Sequence, residues 1–152
     1  MNMKKLLLTG VICTLGLGFI TPTFHAYNES MTPTENLFQA SKSGNIHDIY
    51  LSTRDNDAII NSTINEQGFT PLTFAVENNQ IEAVKYLVKI GADINATDGS
   101  GMTALMIAAK YNYTKMVEFL INENTNINNA LYIARENQHQ EMVDLLLGYV
   151  EK

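Results

Sequence analysis

Cysteine, tryptophan, proline and positive charge are all scarce in this sequence of 152 residues. A single cysteine, Cys13, permits neither an intramolecular disulfide nor a zinc site built from several thiolates. Ten Lys and Arg residues against sixteen Asp and Glu give a net charge of −6, and so few cations disfavour nucleic-acid binding. Hydrophobic residues still make up 45% of the chain, which excludes wholesale disorder.

The first 26 residues have the pattern of a secretory signal peptide. Lys4 and Lys5 precede an uncharged run over residues 6–20, and a short polar stretch then ends at Ala26. The run is shorter than the roughly 20 residues that a transmembrane helix needs. We therefore expect cleavage after Ala26. Phe24 stands where a small residue is preferred before the cleavage point, so an uncleaved anchor is the alternative.

Loss of this segment changes the composition of the chain and indicates its destination. Residues 27–152 contain no cysteine, and their net charge is −8 because Lys4 and Lys5 are removed without any acid. A cysteine-free chain suits an oxidising compartment. The short leader with paired lysines indicates a bacterial protein, so we expect export to the periplasm or secretion. We expect residues 27–34 to form a flexible lead.

Two segments of the remaining chain align at an offset of 33 residues, which indicates an internal repeat. In each unit a threonine stands where a first helix would begin, and a second apolar stretch with helical spacing follows. The matching pairs are Gly68 and Gly101, Thr70 and Thr103, Leu72 and Leu105, Ala75 and Ala108, and Asn95 and Asn128.

Each unit predicts a short helix, a tight turn and a second helix. Thr70 and Thr103 are the predicted N-caps, and Pro71 fits the first helical position, where no amide hydrogen is needed. The pair Asn78-Asn79 favours a tight turn between the helices. Gly91 favours a left-handed end to the second helix.

This pattern resembles the ankyrin repeat. The resemblance implies an all-α solenoid of stacked antiparallel helix pairs with short β-hairpin-like fingers. The family's histidine after Thr-Pro-Leu is missing, because that position holds Phe38, Thr73, Met106 and Tyr132. We therefore expect apolar contacts to hold the stack together. The motifs that carry the resemblance are Gly68-x-Thr70-Pro71-Leu72-x-x-Ala75, Gly91-Ala92-Asp93-x-Asn95 and Gly101-x-Thr103-x-Leu105-x-x-Ala108-Ala109.

Weaker copies of the pattern flank the two clear units. The predicted ankyrin-repeat domain covers 35–149, with repeats at about 35–64, 65–97 and 98–128 and a capping helix pair at 129–149. The segment that joins the third repeat to the capping pair is seven residues shorter than the one that joins the second repeat to the third. We therefore predict a tight connection there in place of a finger.

No group of residues in the sequence indicates catalysis or metal binding. His47 and His139 have no spaced acidic or histidine partners, as a metal site requires. Gly99-Ser100-Gly101 lacks the remainder of a nucleophile elbow and falls at a predicted finger tip. The resemblance places Asp93 in the loop that leaves a second helix, which implies a structural role. We predict no enzyme activity, no cofactor and no metal.

The resemblance implies that finger tips and the exposed side of the first helices bind another protein. Phe69, Met102 and Tyr111 would be apolar anchors on that surface; alternatively, Phe69 and Met102 pack beneath the fingers. The predicted partner-binding residues are Glu66, Gln67, Phe69, Glu77, Asn78, Ser100, Met102, Lys110 and Tyr111.

The predicted function is protein recognition by an exported monomer, for example a periplasmic scaffold, inhibitor or immunity protein. The alternative is a secreted effector that binds a host-cell protein. We expect no nucleic acid and no small-molecule substrate, and membrane contact only through an uncleaved leader. The acidic surface favours a neutral or basic patch on the partner.

Overall fold

The computed structural model describes residues 28, 30–64, 67–121 and 125–150, so the predicted leader lies outside the described residues. Within those ranges the chain forms eight α-helices arranged as four consecutive pairs. None of these helices has the length and hydrophobicity needed to cross a bilayer. The helices are α1 (Pro33–Ser43), α2 (Ile46–Thr53), α3 (Pro71–Glu77), α4 (Ile81–Lys89), α5 (Ala104–Lys110), α6 (Thr114–Ile121), α7 (Ile127–Glu136) and α8 (Gln140–Val150), with a 3-10 turn at Asp57–Asn61.

Threonine caps start the first helices of the two clear repeats, as predicted. The hydroxyl of Thr70 accepts a hydrogen bond from the Thr73 amide at 3.2 Å, and Pro71 occupies the first turn of α3. The hydroxyl of Thr103 accepts from the Met106 amide at 3.4 Å. Such a cap contributes about 1 kcal/mol to helix stability.

One left-handed residue ends the first helix of every pair and turns the chain back. This residue lies two positions before the second helix begins, and in three of the four pairs it is glycine or asparagine, the types that best tolerate positive φ. Gly91, with φ of 101°, confirms the predicted left-handed end of α4. The four turn residues are Gly44 (φ 75°), Asn79 (56°), Asn112 (59°) and Gln138 (60°).

The first helices α1, α3, α5 and α7 pack side by side in one layer, and each second helix packs on its own first helix. A buried alanine stands at the same place in each first helix, and its small side chain lets neighbouring helices approach closely. Leu72 and Leu105 are buried beside these alanines. The four alanines are Ala40, Ala75, Ala108 and Ala134.

The fingers contain only isolated bridges in the described part of the chain, at Ile64–Phe69 and Thr97–Thr103, so the all-helical fold class is confirmed. Successive fingers also contact each other. The amide of Gly99 donates to the carbonyl of Gln67 at 2.7 Å. The amide of Asp93 donates to Oδ1 of Asn61 at 2.8 Å.

Element boundaries differ from the predicted ones at both ends. Helix α1 begins at Pro33, because Thr32 and Glu35 form a capping box, so residues 33–34 belong to a helix and not to the predicted flexible lead. Helix α7 begins at Ile127, before the predicted start of the capping pair at 129. Residues 90–103 separate α4 from α5, whereas only 122–126 separate α6 from α7.

Candidate functional site

The finger side of the predicted surface carries a short aromatic cluster. The Phe69 ring lies 5.5 Å from that of Phe74, which lies 5.9 Å from the buried ring of Phe38. Phe69 and Met102 are both half-buried, and Met102 packs against the core. Both side chains therefore pack beneath the fingers and leave only part of their surface for contact. The sequence prediction did not include Phe74. The equivalent position in the first unit holds Gln39, and an aromatic residue at a position that can also hold a polar one was the available signal.

The polar residues of the predicted surface are held mainly by local hydrogen bonds. Ser100 is exposed at a finger tip that Asp98 organises, since Oδ1 of Asp98 accepts from the amides of Ser100 at 2.8 Å and Met102 at 2.9 Å. Asn78 is half-buried and its side chain donates to the carbonyl of Phe74 at 2.9 Å.

The remaining polar positions differ in exposure. Gln67 is exposed and Glu77 is half-buried at the end of α3. Glu66 lies outside the described residues.

Lys110 and Tyr111 lie at a different end of the molecule from Phe69 and Met102. Tyr111 is 42% exposed and follows the last residue of α5, whereas Met102 precedes that helix. The seven residues of α5 span about 10 Å. The structure thus divides the predicted surface into a finger group and a turn group.

The turn group contains a stacked pair of tyrosines. The rings of Tyr111 and Tyr113 have centroids 5.7 Å apart and planes 24° apart. Nζ of Lys110 lies 5.6 Å from the Tyr111 centroid. The sequence prediction did not include Tyr113. The signal was visible as two tyrosines on either side of an asparagine at the turn between the two helices.

Polar bonds between repeats correct the prediction that apolar contacts alone hold the stack. The side chain of Gln80 donates to the carbonyl of Lys42 at 3.2 Å, and Nε2 of His139 donates to the carbonyl of Lys110 at 2.9 Å. Gln80 and His139 occupy the same place in their repeats. His139 therefore makes a structural contact between repeats.

The carboxyl of Glu35, in the cap of α1, has a lowered pKa. Glu35 accepts hydrogen bonds from the amide and hydroxyl of Thr32, and these bonds lower the pKa of Glu35. Within the described ranges, no group of three His, Cys, Asp or Glu side chains is placed to hold a metal ion.

A model of three ankyrin repeats matches residues 23–98 and 90–152. This chain belongs to the ankyrin-repeat family. The match covers the four helix pairs described above, including the weak first and last ones. Ankyrin repeats are typically non-catalytic modules that bind other proteins.

Relatives of this ankyrin-repeat protein are diverse. An ankyrin repeat protein of Fowlpox virus (strain NVSL) is 40% identical over 50% of this chain and 25% of its own length. The human transient receptor potential cation channel subfamily A member 1 is 32% identical over 73% of this chain and 11% of its own. Human protein phosphatase 1 regulatory subunit 27 is 42% identical over 40% of this chain and 39% of its own. The chain thus spans well under half the length of these relatives.

Proposed function

We propose that this chain is an exported module that binds one protein partner, without catalysis, as a periplasmic scaffold, inhibitor or immunity protein. The observation that carries the proposal is the stack of four helix pairs, with Phe69 and Phe74 half-buried among exposed polar residues of the fingers. Partly exposed aromatic rings surrounded by polar groups are typical of protein interfaces.

Export is supported by the leader pattern alone. Lys4 and Lys5, the uncharged run over 6–20 and the small residue Ala26 are the features of a cleavable signal. Recognition is supported by one relative, which is named as a regulatory subunit of protein phosphatase 1. The competing proposal is a secreted effector, which would use the same binding activity on a host-cell protein.

The test is capture of a partner by the tagged full chain expressed in its native cells. The intact mass of the recovered protein reports whether residues 1–26 have been removed. The surface variant carries Gln39→Arg and Ser100→Arg, two exposed positions on the first helices and fingers. The matched control, Glu141→Arg, changes the net charge equally but lies on α8.

We expect one partner from the cell envelope that the surface variant loses and the control retains. Equal retention by both variants would contradict binding through the fingers and first helices. A partner captured from host-cell extract and not from the envelope would replace the periplasmic role by the effector role. No partner from either source would contradict the recognition function.

A further inference from the structure

We infer that the α5–α6 turn docks an acidic segment of the partner protein. The surface in question, here named the tyrosine edge, consists of Lys110, Tyr111, Tyr113 and Lys115. An apolar side chain of the segment lies on the two tyrosines, and its carboxylates pair with the two lysines. The inference rests on the proposed recognition function and adds the chemistry of the recognised segment.

The two tyrosines are not needed to make the turn. All four helix pairs turn through one left-handed residue, yet among the described turns only this one has a tyrosine on each side. Ser43, Asn78 and Asn137 stand in the place of Tyr111 in the other pairs. The fold therefore tolerates small polar side chains where this repeat presents an exposed ring.

The place of Tyr113 points the same way. In two other repeats this place is held by Gln80 and His139, which bond to the carbonyl of the preceding repeat. Tyr113 instead lies half-buried with its ring against Tyr111. The contact between the two tyrosine rings holds both side chains in one orientation before a partner binds, which lowers the conformational entropy lost on binding.

The charges of the tyrosine edge are positive in an acidic chain. Lys110 and Lys115 are both exposed, and neither forms an ion pair with any residue in the described ranges. Exposed charges act over roughly 8 Å at physiological salt, so the local sign outweighs the net charge of the whole chain. The neutral or basic partner expected from overall charge is thus replaced, at this edge, by an acidic one.

A groove beside the tyrosines gives the segment a path. It has a volume of about 340 Å³ and lies between the α3–α4 turn, at Asn79, and the α5–α6 turn. Tyr113 and Lys115 line it, and Lys115 is the charged residue of its lining. A segment in this groove places its apolar side chain on the aromatic wall and its carboxylate at Lys115.

The test is a titration of the ¹⁵N-labelled protein with a short synthetic peptide that alternates glutamate with leucine, followed by amide chemical shifts. We expect shifts centred on Asn79 and residues 110–116. Lys110→Glu with Lys115→Glu should weaken binding about tenfold or more, since two attractions become repulsions. Tyr111→Ala should also weaken it.

The matched control carries Lys42→Glu and Lys89→Glu, which make the same charge change at exposed lysines elsewhere. We expect it to bind as the parent does, and a lysine–leucine peptide to leave the edge unshifted. Equal weakening of both double variants, or shifts centred elsewhere, would overturn the inference. A native partner that stays bound to the Lys110→Glu and Lys115→Glu variant would also overturn it, while the recognition function would stand.

Discussion

Nε2 of His139 donates a hydrogen bond of 2.9 Å to the carbonyl of Lys110 and so joins the last helix pair to the third repeat. The first two repeats are joined in the same way by Gln80 and the carbonyl of Lys42, at 3.2 Å. The place therefore supplies a junction contact at two of the three junctions, with a different donor at each. Both side chains reach a carbonyl near the end of a neighbouring first helix.

Replacement of His139 separates the hydrogen bond from the packing of the ring. We expect His139→Ala to lower the free energy of unfolding by about 0.5–1.5 kcal/mol, the usual net worth of such a bond. His139→Gln should recover most of the loss, because Gln80 makes the same contact at another junction. Urea denaturation followed by circular dichroism measures both; a glutamine variant as weak as the alanine variant would contradict the assignment.

Gly68 and Gly101 occupy equivalent places, and both have positive φ, of 63° and 78°. A Cβ on Gly68 would lie 2.8 Å from the amide nitrogen of Gly99, whereas one on Gly101 would meet nothing within 4 Å. We expect Gly101→Ala to cost about 1–2 kcal/mol for the left-handed backbone alone. Gly68→Ala should cost more, because two fingers must also separate. Equal midpoints in urea would show that the fingers do not pack against each other in solution.

Leu105 and Leu131 are equivalent residues with different burial, since Leu105 is fully buried and Leu131 is half-buried in the last pair. Leu105→Ala should lower stability by about 2–5 kcal/mol through lost contacts and the cavity left behind. Leu131→Ala should cost clearly less. Thermal unfolding of the two variants tests the difference, and an unchanged melting temperature for Leu105→Ala would place that residue outside the core.

The capping box at Thr32 makes the start of α1 sensitive to acid. Its hydrogen bonds lower the pKa of Glu35 from the ordinary value of 4.5. A lowered carboxyl pKa means that the stabilising contribution is present above pH 4.5 and is lost as pH falls through the lower folded value. We expect the carboxyl shift of Glu35 to titrate below 4.5 in NMR, and Thr32→Val to return it towards 4.5. Titration at the ordinary pKa in the parent protein would contradict the cap.

The repeat pattern predicted the helices well because each signal is local. Thr70, Pro71 and Gly91 act on backbone within a few residues of themselves, so their roles were predictable from the sequence. The contact of His139 with Lys110 was not, since it joins residues 29 positions apart through the relative placement of two helix pairs. The start of α1 was missed for a different reason: Thr32 fell in the predicted lead over 27–34, and its pairing with Glu35 was not recognised as a helix start.

For the finger half of the candidate surface, the position was predictable and the exposure was not. The repeat places Phe69 and Met102 beside the fingers, but only the packed structure shows that each loses part of its surface to neighbours. Tyr111 was predicted on the same side as these residues. The length of α5 instead puts it at the opposite end of the first-helix layer.

The short connection over 122–126 makes the two ends of the repeat stack different. A partner chain that follows the first helices passes a finger before α3 and another before α5, whereas only five residues separate α6 from α7. The place of Tyr132 is buried in the first two repeats, where Phe38 packs on Phe74 of the next pair and Thr73 is fully buried, but Tyr132 itself is 62% exposed. The last described pair therefore presents an end face of the kind that each earlier pair buries against its successor.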